Sequence, residues 1–203
     1  MATKYIAIAG NMGSGKSSLV DFLCRTYDLK PFFEPNDINP FLALFYTDMK
    51  RWAFHSQMHF LTQKFRIHQD LDHYKGTVIQ DRTIYEDAEI FAYNLHRQGS
   101  MAKEEYRTYR HLYESILDAI APPDLLIYLE CPLRSLKQRI SKRGRTIEKN
   151  VPDEYLKRLE RYYERWIKGY KRSPVIHLST AKMDYLSDFI ARHDLLQTIE
   201  KYL

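Results

Sequence analysis

The feature that most constrains this chain is a glycine-rich octapeptide close to its start. Residues 10–17 read Gly-Asn-Met-Gly-Ser-Gly-Lys-Ser and match the pattern G-x-x-x-x-G-K-[ST] in full. Glycines let such a loop curl so that its N–H groups point at phosphate oxygens, the lysine adds a point charge, and the last hydroxyl can ligate Mg²⁺. A chance match somewhere in 203 residues has odds of roughly one in a hundred. The octapeptide therefore predicts binding of a nucleoside triphosphate and Mg²⁺.

The segments on either side of the octapeptide fit a phosphate loop. Tyr5–Ala9 is a short apolar run that predicts a buried strand, and Ser17–Tyr27 has a helical pattern. A helix that starts directly after the loop points its positive dipole end at the phosphates. We expect Lys16 to reach the β and γ phosphates. The residues expected to bind the nucleotide are Gly10, Asn11, Met12, Gly13, Ser14, Gly15, Lys16, Ser17 and Ser18.

Short β-rich runs alternate with longer helical patterns along the chain. This alternation predicts an α/β protein of the P-loop NTPase fold, with a five-stranded parallel sheet and helices on both faces. All predicted strands except the second are apolar enough to be buried on both faces. The predicted strands are Tyr5–Ala9, Pro31–Phe33, Thr77–Gln80, Leu125–Leu129 and Val175–Leu178. The predicted helices are Ser17–Tyr27, Pro40–Tyr74 with a break near Asp48, Tyr85–Arg97, Lys103–Ile120, Pro132–Lys142, Pro152–Lys171 and Met183–Tyr202.

Length and composition limit the class of protein. A chain of 203 residues suits one domain, so we expect a single domain over residues 1–203. No apolar run approaches the roughly 20 residues that span a membrane, and the first residues lead directly into a strand, so we expect neither a membrane partner nor a signal peptide. Cys24 and Cys131 lie far apart in the sequence, which favours a reduced, cytoplasmic protein.

The chain is basic, with a formal net charge of +5 and a pI near 9.0. A basic surface is typical of nucleic-acid binding, but it also suits an anionic small substrate. Here the cations are scattered among acidic residues and form no Lys/Arg tail. We therefore expect no nucleic-acid partner.

Two carboxylates follow predicted strands. Glu34 comes after Pro31–Phe33, and Asp81 comes after Thr77–Gln80 and precedes Arg82. Ligands of α/β proteins bind at the carboxyl ends of the strands, where the phosphate loop also lies. Asp81 is therefore a candidate partner of Mg²⁺, and Glu34 is a candidate base for the proton of a phosphoryl acceptor. A turn residue or helix cap is the alternative interpretation of each.

An arginine cluster follows the fourth predicted strand. Arg139 and Arg143 share a helix face at i, i+4, and Gly144 would end that helix before Arg145. Guanidinium groups suit phosphate oxygens, so the cluster predicts a lid at about residues 139–150 that closes over a triphosphate. A solvated helix end with cations near its negative pole is the alternative.

In their order and spacing these segments resemble the deoxynucleoside kinase family, and most of all its bacterial deoxyadenosine/deoxycytidine kinase members. The resemblance covers most of the chain. Beyond the phosphate loop it rests on Glu34-Pro35, Asn39-Pro40-Phe41-Leu42 with Phe45-Tyr46, Arg51-Trp52-Ala53-Phe54-His55-Ser56-Gln57, Asp81-Arg82-Thr83-Ile84-Tyr85-Glu86-Asp87, Arg143-Gly144-Arg145 and Glu148.

The resemblance implies a role for each matching residue. Glu34 would take the proton of the 5′-hydroxyl of a deoxynucleoside, with Arg82 steadying the carboxylate and the transferred phosphoryl group. Arg139, Arg143 and Arg145 would close over the phosphates of ATP, and Ser17 and Asp81 would hold Mg²⁺. The residues that would bind the nucleoside itself are Tyr46 and Glu148 at the 3′-hydroxyl, Gln57 and Asp87 at the base edge, and Phe91 at the base face. Family members are usually homodimers, so the resemblance implies a homodimer.

The choice of base depends on Asp87 and on departures from the family pattern. An ionised Asp87 accepts hydrogen bonds only, which favours a base with an exocyclic amino group unless Asp87 caps or pairs locally. Ser56 stands where many relatives have an aromatic residue, which leaves room for a purine, and Lys64 stands where relatives often carry arginine. We expect deoxyadenosine as substrate, with deoxycytidine and deoxyguanosine left open.

Two other functions share part of this pattern. A thymidylate-type nucleoside monophosphate kinase usually carries arginine just before the Glu-Pro pair, where this chain has Phe33. A nucleic-acid-binding ATPase would not need Glu34, Gln57 and Asp87 to converge on one pocket. Both remain alternatives at this point.

Overall fold

A parallel sheet of five strands lies at the centre of the part of the chain that the computed structural model describes, residues 4–33, 38–145, 151–180 and 189–202. Its strands lie in the order β2-β3-β1-β4-β5, and every neighbouring pair is parallel. The predicted α/β architecture with a five-stranded parallel sheet is therefore confirmed. The strands are β1 (Lys4–Gly10), β2 (Leu29–Phe32), β3 (Thr77–Asp81), β4 (Leu125–Glu130) and β5 (Val175–Ser179).

Helices connect the strands close to the predicted positions. They are α1 (Lys16–Thr26), α2 (Leu42–Thr47), α3 (Met49–His73), α4 (Ile84–Glu86), α5 (Tyr93–Arg97), α6 (Lys103–Leu117), α7 (Leu133–Arg143), α8 (Asp153–Gly169) and α9 (Phe189–Glu200). The predicted break near Asp48 is confirmed, because Asp48 leaves helical angles and its carboxylate accepts the N–H of Arg51 at 3.1 Å. The predicted start of the last helix at Met183 lies outside the described residues. Among the described helices, none is long and apolar enough to cross a membrane.

The helix after β3 contains an irregular segment that the sequence pattern did not predict. Between α4 and α5, Asp87–Ala92 form one π-helical segment, with helical angles continuing on both sides. Such segments are rare and frequently occur at functional sites. Two predicted substrate-binding residues, Asp87 and Phe91, lie in this segment.

Two apolar layers enclose the sheet, since successive side chains of a strand point to opposite faces. On one face, Ile6 belongs to a buried cluster with Leu19 of α1 and Leu195 of α9. On the other face, Ala7 belongs to a cluster with Leu159 of α8. The prediction of helices on both faces is therefore confirmed.

The fifth strand differs from its prediction. Ile176 and Leu178 are buried, but His177 and Ser179 are exposed, so β5 is buried on one face and not on both. β5 lies at the edge of the sheet. The prediction was wrong because a short β-rich run does not show whether its strand lies at the centre or at the edge of a sheet.

The carboxyl ends of the inner strands lie at one edge of the sheet. Ile8 of β1 is paired with Asp81 of β3, and Gly10 is paired with Leu129 of β4. The phosphate loop therefore begins beside the carboxylate that ends β3. This edge is where α/β proteins bind their ligands.

Candidate active site

The phosphate loop has a backbone that glycine alone adopts without strain. Gly10 and Gly13 have φ angles of 151° and 77°, in the region that L side chains disfavour. A Cβ atom on Gly10 would lie 2.8 Å from the carbonyl oxygen of Leu129, and one on Gly13 would lie 3.0 Å from that of Leu136. The loop passes so close to β4 and α7 that positions 10 and 13 have no room for a side chain, which explains the glycines there.

The start of α1 is open toward the loop. α1 begins at Lys16, and its N-cap Gly15 provides no side-chain hydrogen bond to the first-turn N–H groups. Uncapped N–H groups at a helix start form a site for an anion. The buried Lys16 ammonium donates to the carbonyl oxygens of Gly10 at 2.8 Å and Asn11 at 3.1 Å. It therefore lies inside the loop, where a phosphate group would meet it.

Ser17 and Asp81 form an oxygen-donor pair beside the loop. The Ser17 hydroxyl donates to Oδ2 of Asp81 at 2.5 Å. Oδ1 of Asp81 is buried and has no hydrogen-bond partner among the described residues. Mg²⁺ prefers oxygen ligands and usually takes one or two carboxylates, with phosphate and water completing its octahedron. The two side chains therefore fit a magnesium ion that a triphosphate would share.

The three arginines of the predicted lid have different surroundings. Arg139 Nη1 donates to the carbonyl oxygen of Ser14 at 2.9 Å, and its Nη2 donates to the carbonyl oxygen of Thr180 at 3.1 Å. The Arg139 guanidinium therefore connects the phosphate loop with the residue after β5. The closure of Arg139 over bound phosphates stays a prediction. Arg143 and Arg145, on either side of the helix end at Gly144, both line the cavity into which Lys16 and Ser17 also face.

A cavity of about 290 Å³ extends from the phosphate loop to the π-helical segment. It brings together residues from distant parts of the sequence, including most of the side chains predicted for the two substrates. Glu34 and Glu148, the predicted base and one of the two sugar ligands, lie outside the described residues. The lining residues are Met12, Gly13, Lys16, Ser17, Phe33, Leu42, Phe45, Tyr46, Ser56, Gln57, Phe60, Asp81, Arg82, Asp87, Phe91, Arg143, Arg145 and Tyr155.

Buried polar groups lie at the end of the cavity away from the loop. Gln57 is 6% exposed, and its Oε1 has no hydrogen-bond partner among the described residues. Asp87 is 3% exposed and lines the same end. Ser56 is also buried, with its hydroxyl accepting from the side chain of Asn39 at 3.1 Å. A buried acceptor without a donor, such as Oε1 of Gln57, is costly, so this end suits a ligand that supplies an N–H or O–H group.

Arg82 lines the cavity together with residues of the phosphate loop and of the π-helical segment. Its guanidinium carbon is 4.4 Å from the ring centroid of Phe91, and its Nη1 donates to the Tyr163 hydroxyl at 3.3 Å. The Phe91 ring thus has a cation over it, and its stacking on a base stays a prediction. Arg82 has a φ of 66°, and it is the one described non-glycine residue with a positive φ. Such a conformation costs about 1–2 kcal/mol and persists where surrounding contacts hold it.

A family model for deoxynucleoside kinases matches residues 6–203 of the chain. The chain belongs to the deoxynucleoside kinase family. The family membership confirms the predictions of a P-loop fold and of a phosphotransferase. It also removes the two alternatives considered from the sequence.

Curated and solved relatives of this deoxynucleoside kinase agree with that membership. A deoxyadenosine/deoxycytidine kinase of Bacillus subtilis is 39% identical over 185 residues, which is 90% of this chain and 85% of that protein. A deoxyguanosine kinase of Lactobacillus acidophilus is 36% identical and covers 96% of this chain and 88% of its own. The structure of deoxyadenosine kinase from M. mycoides with bound dATP has a TM-score of 0.83 and 27% identity, covering 98% of this chain and 99% of that one.

A buried glutamate that sequence reasoning missed links the two halves of the kinase site. Glu86 is 0% exposed, and its Oε1 accepts from the backbone N–H of Gly10 at 3.1 Å and from the Tyr163 hydroxyl at 2.8 Å. Its Oε2 accepts from the N–H of Thr83 at 2.7 Å, which completes a capping box at the start of α4. The Thr83-x-x-Glu86 spacing signals the capping box but not the contact with Gly10.

Tyr163 extends this link to Arg82. Burial is the largest cause that raises the pKa of the Tyr163 hydroxyl well above its usual value, followed by the nearby Glu86 charge. Tyr163 therefore stays protonated and donates to Glu86 while it accepts from Arg82. One chain of hydrogen bonds thus joins Gly10 at the start of the phosphate loop to the guanidinium of Arg82.

Proposed function

We propose that this kinase transfers the γ-phosphoryl group of ATP to the 5′-hydroxyl of deoxyadenosine. The observation that carries the proposal is that Gln57 and Asp87 line the same cavity as Lys16 and Ser17. One end of the cavity thus has the chemistry of a phosphate site, and the other has buried acceptors suited to a base edge. Phosphoryl transfer needs mainly such positioning, together with charge neutralisation.

The donor end would hold ATP through backbone and charge. Open N–H groups of the loop and of the first turn of α1 would bind phosphate oxygens, and Lys16 would exchange its contacts with loop carbonyls for the β and γ phosphates. Arg143 and Arg145 would add charge from the lid side. Ser17 and Asp81 would hold Mg²⁺, which when bound supplies charge neutralisation of the phosphates.

The acceptor proton would pass to Glu34. This residue follows Phe33, which lines the cavity, and it comes two residues after the end of β2. Arg82, which lines the same cavity, would neutralise charge on the transferred phosphoryl group and on the carboxylate. Tyr46, which lines the cavity, and Glu148 would bind the 3′-hydroxyl of the sugar.

Base recognition would rest on Gln57 and Asp87. The adenine edge presents an amino donor beside a ring-nitrogen acceptor, and the amide of Gln57 can bond both. The Asp87 carboxylate would accept the second amino hydrogen. Cytosine presents a similar pair of groups, which makes deoxycytidine the second candidate, whereas thymine has no amino group. A site built on such bonds rejects a base that leaves its buried polar groups unpaired.

A panel assay tests this proposal. ADP release is measured with ATP and Mg²⁺ against the four deoxynucleosides and against dTMP, with Lys16→Met as the background control. The expected order of kcat/KM is deoxyadenosine first, deoxycytidine next and thymidine last, with no turnover of dTMP. Turnover of thymidine above deoxyadenosine would exclude the assigned base recognition.

Three further expectations belong to this proposal. The enzyme would be a homodimer in the cytoplasm and would act on small molecules without a nucleic-acid partner. Light scattering coupled to gel filtration measures the oligomeric state, with a mass of twice 24.3 kDa expected. A mass of one chain at working concentration would exclude the dimer.

A further inference from the structure

A lysine that has no part in the proposed chemistry is buried behind the site. Lys64 lies in α3, two helical turns after Gln57, and is 0% exposed. It does not belong to the residues that line the cavity. Its ammonium group donates to the carbonyl oxygens of Arg82 at 2.6 Å and of Asp81 at 3.3 Å. A fully desolvated ammonium group needs such acceptors, because its water has been removed.

Both acceptors of Lys64 belong to one short segment, the Asp81–Arg82 turn. Arg82 has the positive φ of 66°, and its N–H donates to the carbonyl oxygen of Ile8 at 2.9 Å. β1 therefore holds the turn from one side, while Lys64 of α3 holds it from the other. A disfavoured backbone conformation persists only when the surroundings determine it, and these two contacts do so.

The side chains of this turn point to the two substrates. The Asp81 carboxylate accepts from Ser17 in the phosphate loop, whereas the Arg82 guanidinium lies over Phe91 at the acceptor end. The direction in which each side chain leaves the backbone depends on the φ and ψ angles of the turn. A contact that fixes the carbonyl groups of both residues therefore orients two side chains at once. These are the Asp81 carboxylate beside the phosphate loop and the Arg82 guanidinium over Phe91.

We propose that Lys64 is a positioning residue that holds the Asp81–Arg82 turn in its active conformation. The proposal rests on the proposed function for the roles of Asp81 and Arg82. It assigns to Lys64 a contact with the backbone of the turn and none with the base. The ammonium group donates to two carbonyl oxygens, and these hydrogen bonds offset the cost of burying its charge.

Three variants test this role. Lys64→Met keeps the length and removes the donors, Lys64→Arg keeps charge and donors, and Leu71→Ala removes a buried apolar group from the same helix without altering a donor to the turn. Each variant is first checked for folding by circular dichroism and thermal unfolding. The affinity for N-methylanthraniloyl-ATP is then measured with and without Mg²⁺, and kcat and KM are measured for deoxyadenosine.

In Lys64→Met, kcat is expected to fall by about 10- to 100-fold, and the gain in nucleotide affinity on adding Mg²⁺ is expected to fall by a similar factor. Effects of this size are typical when a residue that orients a metal ligand is replaced. Nucleotide affinity without Mg²⁺ should change little, since the loop is intact. Leu71→Ala should lower the unfolding temperature and keep both quantities, and Lys64→Arg should recover part of what Lys64→Met loses. If Lys64→Met does not fold, Lys64→Gln, which is too short to reach the turn, is expected to show the same loss.

A folded Lys64→Met or Lys64→Gln variant with wild-type kcat and a wild-type Mg²⁺ effect would overturn the proposal. So would an equal loss in Leu71→Ala, because that would show a general effect of destabilising α3. If the wild-type enzyme phosphorylated no deoxynucleoside while Lys64→Met still lost the Mg²⁺-dependent affinity, the proposed function would fail and the positioning role would stand.

Discussion

The hydroxyl of Ser17 lies 2.5 Å from Oδ2 of Asp81, so the phosphate loop and the end of β3 meet through two oxygen-bearing side chains. The contact joins residues 64 positions apart, which the register of β1 with β3 brings to the same edge of the sheet. Because Oδ1 of Asp81 has no hydrogen-bond partner among the described residues, the pair retains an oxygen for a cation.

We therefore expect Asp81→Asn to impair the use of Mg²⁺. The amide keeps the shape but loses the negative charge, and kcat/KM should fall by about 100-fold or more. Titration of activity against Mg²⁺ should show a raised half-saturating concentration. Asp70→Asn, at an exposed position of α3, is the matched control and should behave as wild type. An unchanged Mg²⁺ dependence of Asp81→Asn would remove this residue from the metal site.

Glu34→Gln should lose most of kcat while nucleotide binding is retained. The substitution removes the proton acceptor and little else, and general bases contribute about 10²- to 10⁴-fold. Steady-state kinetics with deoxyadenosine and a separate measurement of ATP affinity would check this. Normal turnover by the variant would mean that another group takes the proton.

Asp87→Ala should raise KM for deoxyadenosine by about tenfold or more, with a smaller change for thymidine. A buried hydrogen bond to a charged group contributes about 1.5–3 kcal/mol, and the amino group of adenine supplies a donor that thymine lacks. Glu89→Gln is the matched control, since Glu89 lies in the same π-helical segment but accepts from Tyr113 at 3.1 Å, away from the cavity. Equal effects of Asp87→Ala on all bases would contradict its role in base recognition.

Glu86→Gln should destabilise the fold and slow the reaction together. The amide nitrogen of glutamine cannot accept the bonds that the carboxylate accepts from Gly10, Thr83 and Tyr163, and the loss should be about 2 kcal/mol or more of the free energy of unfolding. Glu105→Gln, at a carboxylate that accepts the N–H of Ala102 at the exposed start of α6, should cost about 1 kcal/mol or less and leave kcat unchanged. Urea unfolding and kinetics of the two variants provide the comparison. Equal effects of both substitutions would contradict a special role for Glu86.

The stability of the protein should fall on acidification partly because of His68. Burial, and next the charge of Lys64, lower the pKa of His68 from 6.5 to about 4. The unfolded chain therefore binds this proton before the folded one does, so the contribution is complete above pH 6.5 and is lost as the pH falls toward 4. A difference of about 2.5 pH units corresponds to about 3 kcal/mol. Urea unfolding between pH 7 and pH 4 should show a shallower loss for His68→Gln than for wild type, and parallel curves would contradict the assignment.

The local segments of this chain were predictable where their signal lies within a few neighbouring residues. The phosphate loop is one example, since Gly10 and Gly13 each have a positive φ angle and a backbone atom too close for a side chain. The break at Asp48 is another, because a side chain that accepts a nearby N–H is a local event. The family followed from the order of such segments.

Other features could not be read from neighbouring residues. β5 was predicted to be buried on both faces, but its place at the edge of the sheet depends on strand order. From the sequence, Lys64 was connected only with the choice of base and Glu86 was given no role, because their partners lie 18 and 76 residues away. Arg139 was grouped with the lid, and the structure places its guanidinium on the backbone of the phosphate loop.

The sequence by itself determined the phosphate loop, the alternation of strands and helices, and the family, because these depend on residue type at fixed spacing. The tertiary structure alone decided which side chains face the cavity and which hold its walls. A lysine, glutamate or arginine has the same chemistry whether it faces the cavity or holds its walls. Only its burial and its distant partners distinguish the two roles. In this protein those partners meet where β1, β3 and α3 converge on the Asp81–Arg82 turn.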